Sequence, residues 1–152
     1  MHTERSVTLP EATEIGEYIL ATANSDGGKH VAIVIVNACA EPVWGVSMPR
    51  TKAPSWRNAH AKAYTAVKFE RDTVEFRFWS PGDHGRKLDP GGWSEYDLAQ
   101  AMNLDPLFCA WAGGSLIRSP HDGSIMGAVG VSNRDELQDH ELAALRPSGW
   151  TA

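Results

Sequence analysis

The chain has 152 residues, 42% of them hydrophobic and 22% charged, which suits one domain with a proper hydrophobic core. With 14 basic and 19 acidic residues the net charge is −5, and no basic run offers a footprint for nucleic acid or an anionic membrane. Met1-His2-Thr3-Glu4-Arg5-Ser6 lacks the apolar core of a signal peptide and no later run would span a bilayer, so the expected location is cytoplasmic.

Thr8-Leu9-Pro10-Glu11 is a capping box: a side-chain acceptor, then a glutamate three residues on, predicting a helix start. Behind it Ala12, Ile15, Ile19 and Ala23 recur at helical spacing until Ser25-Asp26-Gly27-Gly28 stops the helix. Val31 to Val36 is a continuous β-branched run, expected as a central strand covered on both faces or at an interface. Cys39 and Cys109 are isolated, and both are expected as buried free thiols in a reducing compartment. Ala40-Glu41-Pro42 turns the chain into a second strand, Val43 to Met48. Pro54-Ser55 then introduces a helix from about Ser55 to Phe69, whose alanines allow close packing on a sheet or another helix.

From Phe78 to Phe108 the periodicity dissolves among prolines and glycines, with Ser94-Glu95-Tyr96-Asp97 predicting a short helix to about Met102. Trp79, Trp93 and Trp111 bracket this stretch, and at least one of them is expected to line a pocket. Two apolar runs then flank His121-Asp122-Gly123, the signature of a tight hairpin, because Gly accepts positive φ. Gly127 and Gly130 leave two places on the second strand where something can approach the backbone. Ser132-Asn133-Arg134-Asp135 reads as a cap with Ser132 opening the last helix, so Gly127, Gly130 and Ser132 together form an expected anion cradle. The whole is an α+β single domain across residues 1–152, with an antiparallel sheet and helices on one face.

Gly113-Gly114, Gly127-Ala128-Val129-Gly130-Val131-Ser132 and Gln138-Asp139, in that order, together with the helix Ala59 to Phe69, resemble the GlcG/HbpS-like proteins, the haem-degrading domain family. The resemblance runs from about Leu9 to about Leu145. It implies an α-β-β-α-β-β-β-α layout, haem as a cofactor, and self-association into a homo-oligomer through the other sheet surface or a helix. The residues' own pattern predicts three short strands or a strand pair before the last helix. Two stretches depart from the family: Val36-Asn37-Ala38-Cys39-Ala40 and Met48-Pro49-Arg50-Thr51 lack the aspartates it usually carries there.

No serine-hydrolase, P-loop, zinc-protease or dinucleotide motif is present, and the scattered His and Cys residues lack zinc spacing, so no metal site is expected. Lys62 sits among alanines; desolvated, it is a candidate base or Schiff-base nucleophile, and otherwise its head pairs with a carboxylate such as Asp139. His84, beside Asp83 in a donor-rich loop, suits a general acid or base or an axial haem ligand, with Arg86 and Lys87 to meet carboxylates. His60 and His121 are weaker axial candidates, and His140 has no supporting neighbours. Two functions follow. One is an oligomeric small-ligand-binding protein holding haem or a similar flat acidic ligand with His84, Gly127, Gly130, Ser132 and Trp93. The other is a cofactor-free isomerase, lyase or cyclase in which His84 or Lys62 moves a proton and Arg86 stabilises an oxyanion. An accessory role in assembly is a third, with the oligomer surface active and the pocket vestigial.

Overall fold

The capping box forms as read. Thr8 Oγ1 accepts from Glu11 N at 3.3 Å, the Glu11 carboxylate accepts from Thr8 N at 3.0 Å, and helix α1 runs Leu9–Ser25. The structure is a computed structural model and describes residues 5–77 and 103–150. Within them lie strands β1 (Ala32–Asn37) and β2 (Pro42–Ser47), helices α2 (Ser55–Phe69) and α3 (Val74–Arg77), strands β3 (Gly114–Arg118) and β4 (Ile125–Ser132), and helix α4 (Glu136–Ala143). The strands form one antiparallel sheet in the order β2-β1-β4-β3. The α+β class and antiparallel sheet are those expected, and among the described residues a strand pair lies between α2 and α4.

The sheet is covered on both faces. Ala32, Val34, Val36, Leu116 and Ala128 pack under Ala59, Ala63 and Ala66 of α2. The opposite face sets Ile33, Ile35, Ile117, Val129 and Val131 against Ala12, Ile15, Ile19 and Ala23 of α1 and Leu142 and Ala143 of α4. Burial on both sides is why β1 reads as an unbroken apolar run. It also corrects the expectation of helices on a single face, because neither sheet surface is left bare for self-association.

The hairpin between β3 and β4 closes as read. Gly123 takes φ 75°, and Ser119 N donates to Ser124 O at 2.8 Å. Ser132 is corrected: it ends β4, paired with Ala32, while Asp135 caps α4 by accepting from Gln138 N at 3.0 Å. A residue still held in a ladder has no freedom to cap, and Asn133, at φ 109°, turns the chain first. Cys39 is corrected too, being exposed, while Cys109 is partly buried.

The two sheet edges differ. On β3, Gly114 N donates to Thr73 Oγ1 and Gly114 O accepts from Thr73 N, both at 2.9 Å. Leu116 N donates to Asp72 Oδ1 at 2.8 Å, and Leu116 O accepts from Arg146 Nη2 at 3.0 Å. That edge is sealed by side chains and a short connection, one of the ways a fold blocks unwanted strand pairing. The β2 edge has no such seal among the described residues.

Candidate functional site: a buried lysine–aspartate pair

Gly130 brings α2 down onto the sheet. A Cβ there would lie inside contact distance of Ala59 O, 2.8 Å from the Ala59 carbonyl carbon and 3.0 Å from Ala63 N. Helix backbone therefore fills the place of a side chain. This close seat sets Lys62 over the end of β4, where its Nζ donates to Val131 O and to Asp139 Oδ2, each at 3.0 Å. Room for the lysine stem comes from Gly113, at φ 128°, where a Cβ would stand 2.9 Å from Lys62 Cδ and 3.0 Å from its Nζ. Lys62 is 2% exposed and Asp139 1%.

The second carboxylate oxygen of Asp139 accepts from Arg134 N at 3.0 Å. The Arg134 guanidinium in turn clasps Asp26 through two bonds of 2.6 and 2.8 Å and donates through Nε to Lys29 O at 2.7 Å. One chain of polar contacts thus ties α2, the β4–α4 turn and the end of α1. Arg134, with backbone help from Gly28, holds the Asp26 carboxyl down to about 2. Asp139 goes the other way: burial pushes it up to about 6, and the Lys62 charge and hydrogen bond offset only part of that. Burial also raises the Cys109 thiol, with Glu136 and Asp139 adding to the effect and Lys62 opposing it. The arrangement gives a desolvated ion pair whose carboxyl can take a proton in the mildly acidic range.

Of the two roles read for Lys62, the structure displays the pairing with Asp139. Gly127 and Gly130 lie inside β4, their open sides covered by Val36 O and by Ala59 O respectively, so the cradle expected there is filled by the protein's own backbone. Ser132 is buried at the strand end. His84, Arg86, Lys87 and Trp93 lie outside the described residues. His60 stands on the outer part of α2, and His121 lies in the hairpin turn, its N–H on Ser119 Oγ at 3.2 Å. His140 on α4 holds a buried Nδ1 without a hydrogen-bond partner among the described residues. Trp44 lies against Gly16 of α1 and Trp56 against Gly45 of β2, so both act in packing, while Trp111 is 61% exposed. Sequence reasoning missed Arg134 as the link to α1; the flanking Asp26-Gly27-Gly28 stop carries no sign of a partner over a hundred residues away.

Among the described residues no cluster of three or more His, Cys, Asp or Glu side chains gathers as a metal site, and no described helix is long and apolar enough to cross a membrane.

Comparison with solved structures places the fold. The Klebsiella pneumoniae protein ORFY matches with a TM-score of 0.76 at 19% identity, covering 94% of this chain and 89% of that one. PduOC, solved as a haem complex, matches at 0.73 and 21% identity, covering 91% and 90%. A double mutant of HbpS from Streptomyces reticuli matches at 0.70 and 23%, covering 94% and 86%. Comparison with curated proteins gave no match. The family model described as "Haem degrading protein HbpS-like" matches residues 7–145, nearly the whole chain. The chain belongs to the HbpS-like family.

Proposed function

We propose that this chain is a homo-oligomeric small-ligand-binding protein that holds haem or a similar flat, acidic ligand. The observation that carries the reading is the family match over residues 7–145, supported by a haem complex of PduOC on the same fold. Haem asks for one or two axial donors, apolar surface against the ring, and cations for its propionates. The described residues supply apolar surface in kind, with Trp111 and Leu137 61% and 48% exposed. His84 is the axial candidate, Arg86 and Lys87 are the counter-charges for carboxylates, and Trp93 is a wall. Because Gly127 and Gly130 are covered by backbone, the carboxylate contacts fall to those cations rather than to the β4 glycines. Bound haem would supply an iron centre for redox and oxygen chemistry; the chain's part is to bind and orient it.

The test is a hemin titration followed by visible absorption on wild type and His84→Ala. A Soret shift saturating near one haem per subunit, and lost in the variant, is the expected result and identifies the axial ligand. No saturable shift in wild type refutes haem binding and leaves the cofactor-free isomerase, lyase or cyclase as the reading to pursue.

A further inference from the structure

The structure assigns His30, just ahead of β1, as an axial ligand for the iron of a bound haem, with Lys29, Arg50 and Lys52 beside it as counter-charges for the carboxylates. The inference rests on the haem reading above and adds a site built wholly from described residues. Haem iron takes one or two axial donors, so the assignment stands beside His84. Three observations carry it.

The first is the tautomer of the ring. His30 Nδ1 lies 2.6 Å from Pro49 O. A carbonyl oxygen only accepts, so Nδ1 carries the hydrogen and, in the neutral ring, Nε2 keeps its lone pair. A backbone carbonyl on one ring nitrogen is the usual support for an imidazole whose other nitrogen binds a metal. His30 is exposed, and among the described residues it is the histidine whose ring is held this way.

The second is how firmly the residue is held. His30 O accepts from Asn133 Nδ2 and Lys29 O accepts from Arg134 Nε, both at 2.7 Å. Pro49 O is presented by a turn in which Thr51 N and Thr51 Oγ1 both donate to Met48 O, at 3.2 and 2.7 Å. Arg50 in that turn takes φ 64° and Asn133 takes φ 109°, two of the four left-handed non-glycine residues among those described. Strained backbone of this kind collects at ligand sites, where it fixes a side chain in advance. An exposed ring adds little to the core, so packing does not account for this hold.

The third is charge. Lys29, Arg50 and Lys52 are exposed and have no ion-pair partner among the described residues. Asp26, the acid nearest Lys29 in sequence, is clasped by Arg134, and no Asp or Glu occurs from Pro42 to Phe69. On a chain of net charge −5 these cations stand uncompensated beside an imidazole, which suits a ligand that carries both iron and carboxylates. Pro49, Ala53 and Pro54, all exposed, supply apolar surface in the same stretch.

The test is the hemin titration run on wild type, His30→Asn, His30→Gly and Lys52→Gln, with circular dichroism to confirm folding. Asparagine keeps a donor for Pro49 O but removes the iron ligand. His30→Asn is therefore expected to stay folded, move the Soret band and weaken binding about tenfold or more. Free imidazole added to His30→Gly is expected to restore the wild-type spectrum. Lys52→Gln is expected to weaken binding about threefold, and less at high salt. A wild type without a saturable shift overturns both this inference and the haem reading. Wild-type spectrum and affinity in His30→Asn, or a loss in His30→Gly that imidazole does not restore, overturns the His30 site alone. An unchanged affinity in Lys52→Gln overturns the role given to the cations.

Discussion

Gly130→Ala tests the central claim of the packing, that helix backbone takes the place of a side chain on β4. The added methyl would stand 2.8 Å from the Ala59 carbonyl carbon and 3.0 Å from Ala63 N, where ordinary contact begins at 3.4 Å, and Ala59 O is nearer still. All three are backbone atoms, so no rotamer change relieves the clash. Helix α2 has to lift from the sheet, loosening Ala59, Ala63 and Ala66 from Val34 and Ala128 and drawing Lys62 away from Asp139. Overpacked cores lose about 1–3 kcal/mol and sometimes more. An unyielding backbone contact belongs at the upper end, about 3 kcal/mol, which for a domain of this size lowers Tm by about 6–12 °C. Urea unfolding followed by tryptophan fluorescence reads it as a lower midpoint at unchanged slope. Gly123→Ala is the control: its φ of 75° carries the backbone strain of a left-handed residue, but nothing lies within 4 Å of the new methyl, so its cost is about 1 kcal/mol. A Gly130→Ala protein as stable as the Gly123→Ala control would refute the reasoning.

Asp139, raised to about 6, binds its proton more tightly folded than unfolded, so its contribution to stability is present below about pH 4 and lost as pH rises through about 6. Wild type is expected to lose about 2–3 kcal/mol across that window relative to Asp139→Asn, read as the difference between their urea midpoints; parallel profiles would contradict the assignment. Lys62→Met removes the cation that opposes the upward shift, and the Asp139 carboxyl is expected to titrate higher still, seen by carboxyl-carbon NMR. Asp26 has the opposite sign: held down to about 2, it stabilises above its ordinary 3.8, and that gain is lost as pH falls through about 2. Arg134→Gln should flatten this acid limb, by no more than about 1 kcal/mol because Asp26 is partly exposed to solvent. Asp72→Ala leaves Leu116 N without its acceptor on the β3 edge and should cost about 1–3 kcal/mol, with concentration-dependent aggregation as the second readout.

Local signals carried much of the fold. The Thr8–Glu11 box, the Ser55–Phe69 helix, the unbroken run of β1 and the Asp122-Gly123 turn each depend on neighbours within a few residues, and each stands where the pattern puts it. The cap of α4 shows where such patterns end. Ser132 and Asp135 both satisfy capping rules, and the ladder with Ala32, a hundred residues earlier, decides for Asp135. For the candidate site, the Gln138-Asp139 pair and the alanine-rich surroundings of Lys62 were legible and supported a salt bridge between them. Arg134 was legible only as a spacer in a cap.

The amino-acid order by itself determined α1, β1, β2, α2, the hairpin and the family, because periodicity, capping and turn chemistry are local and survive in one dimension, whereas α3 carried no such signal. Only the tertiary structure decided that helices cover both faces of the sheet, that Gly130 serves a helix rather than a ligand, and that the β3 edge is sealed by Thr73, Asp72 and Arg146. Those outcomes rest on contacts such as Lys62 with Asp139, 77 positions apart, and Arg134 with Asp26, 108 apart. At such separations burial and backbone sterics, rather than the identity of adjacent residues, choose the partner.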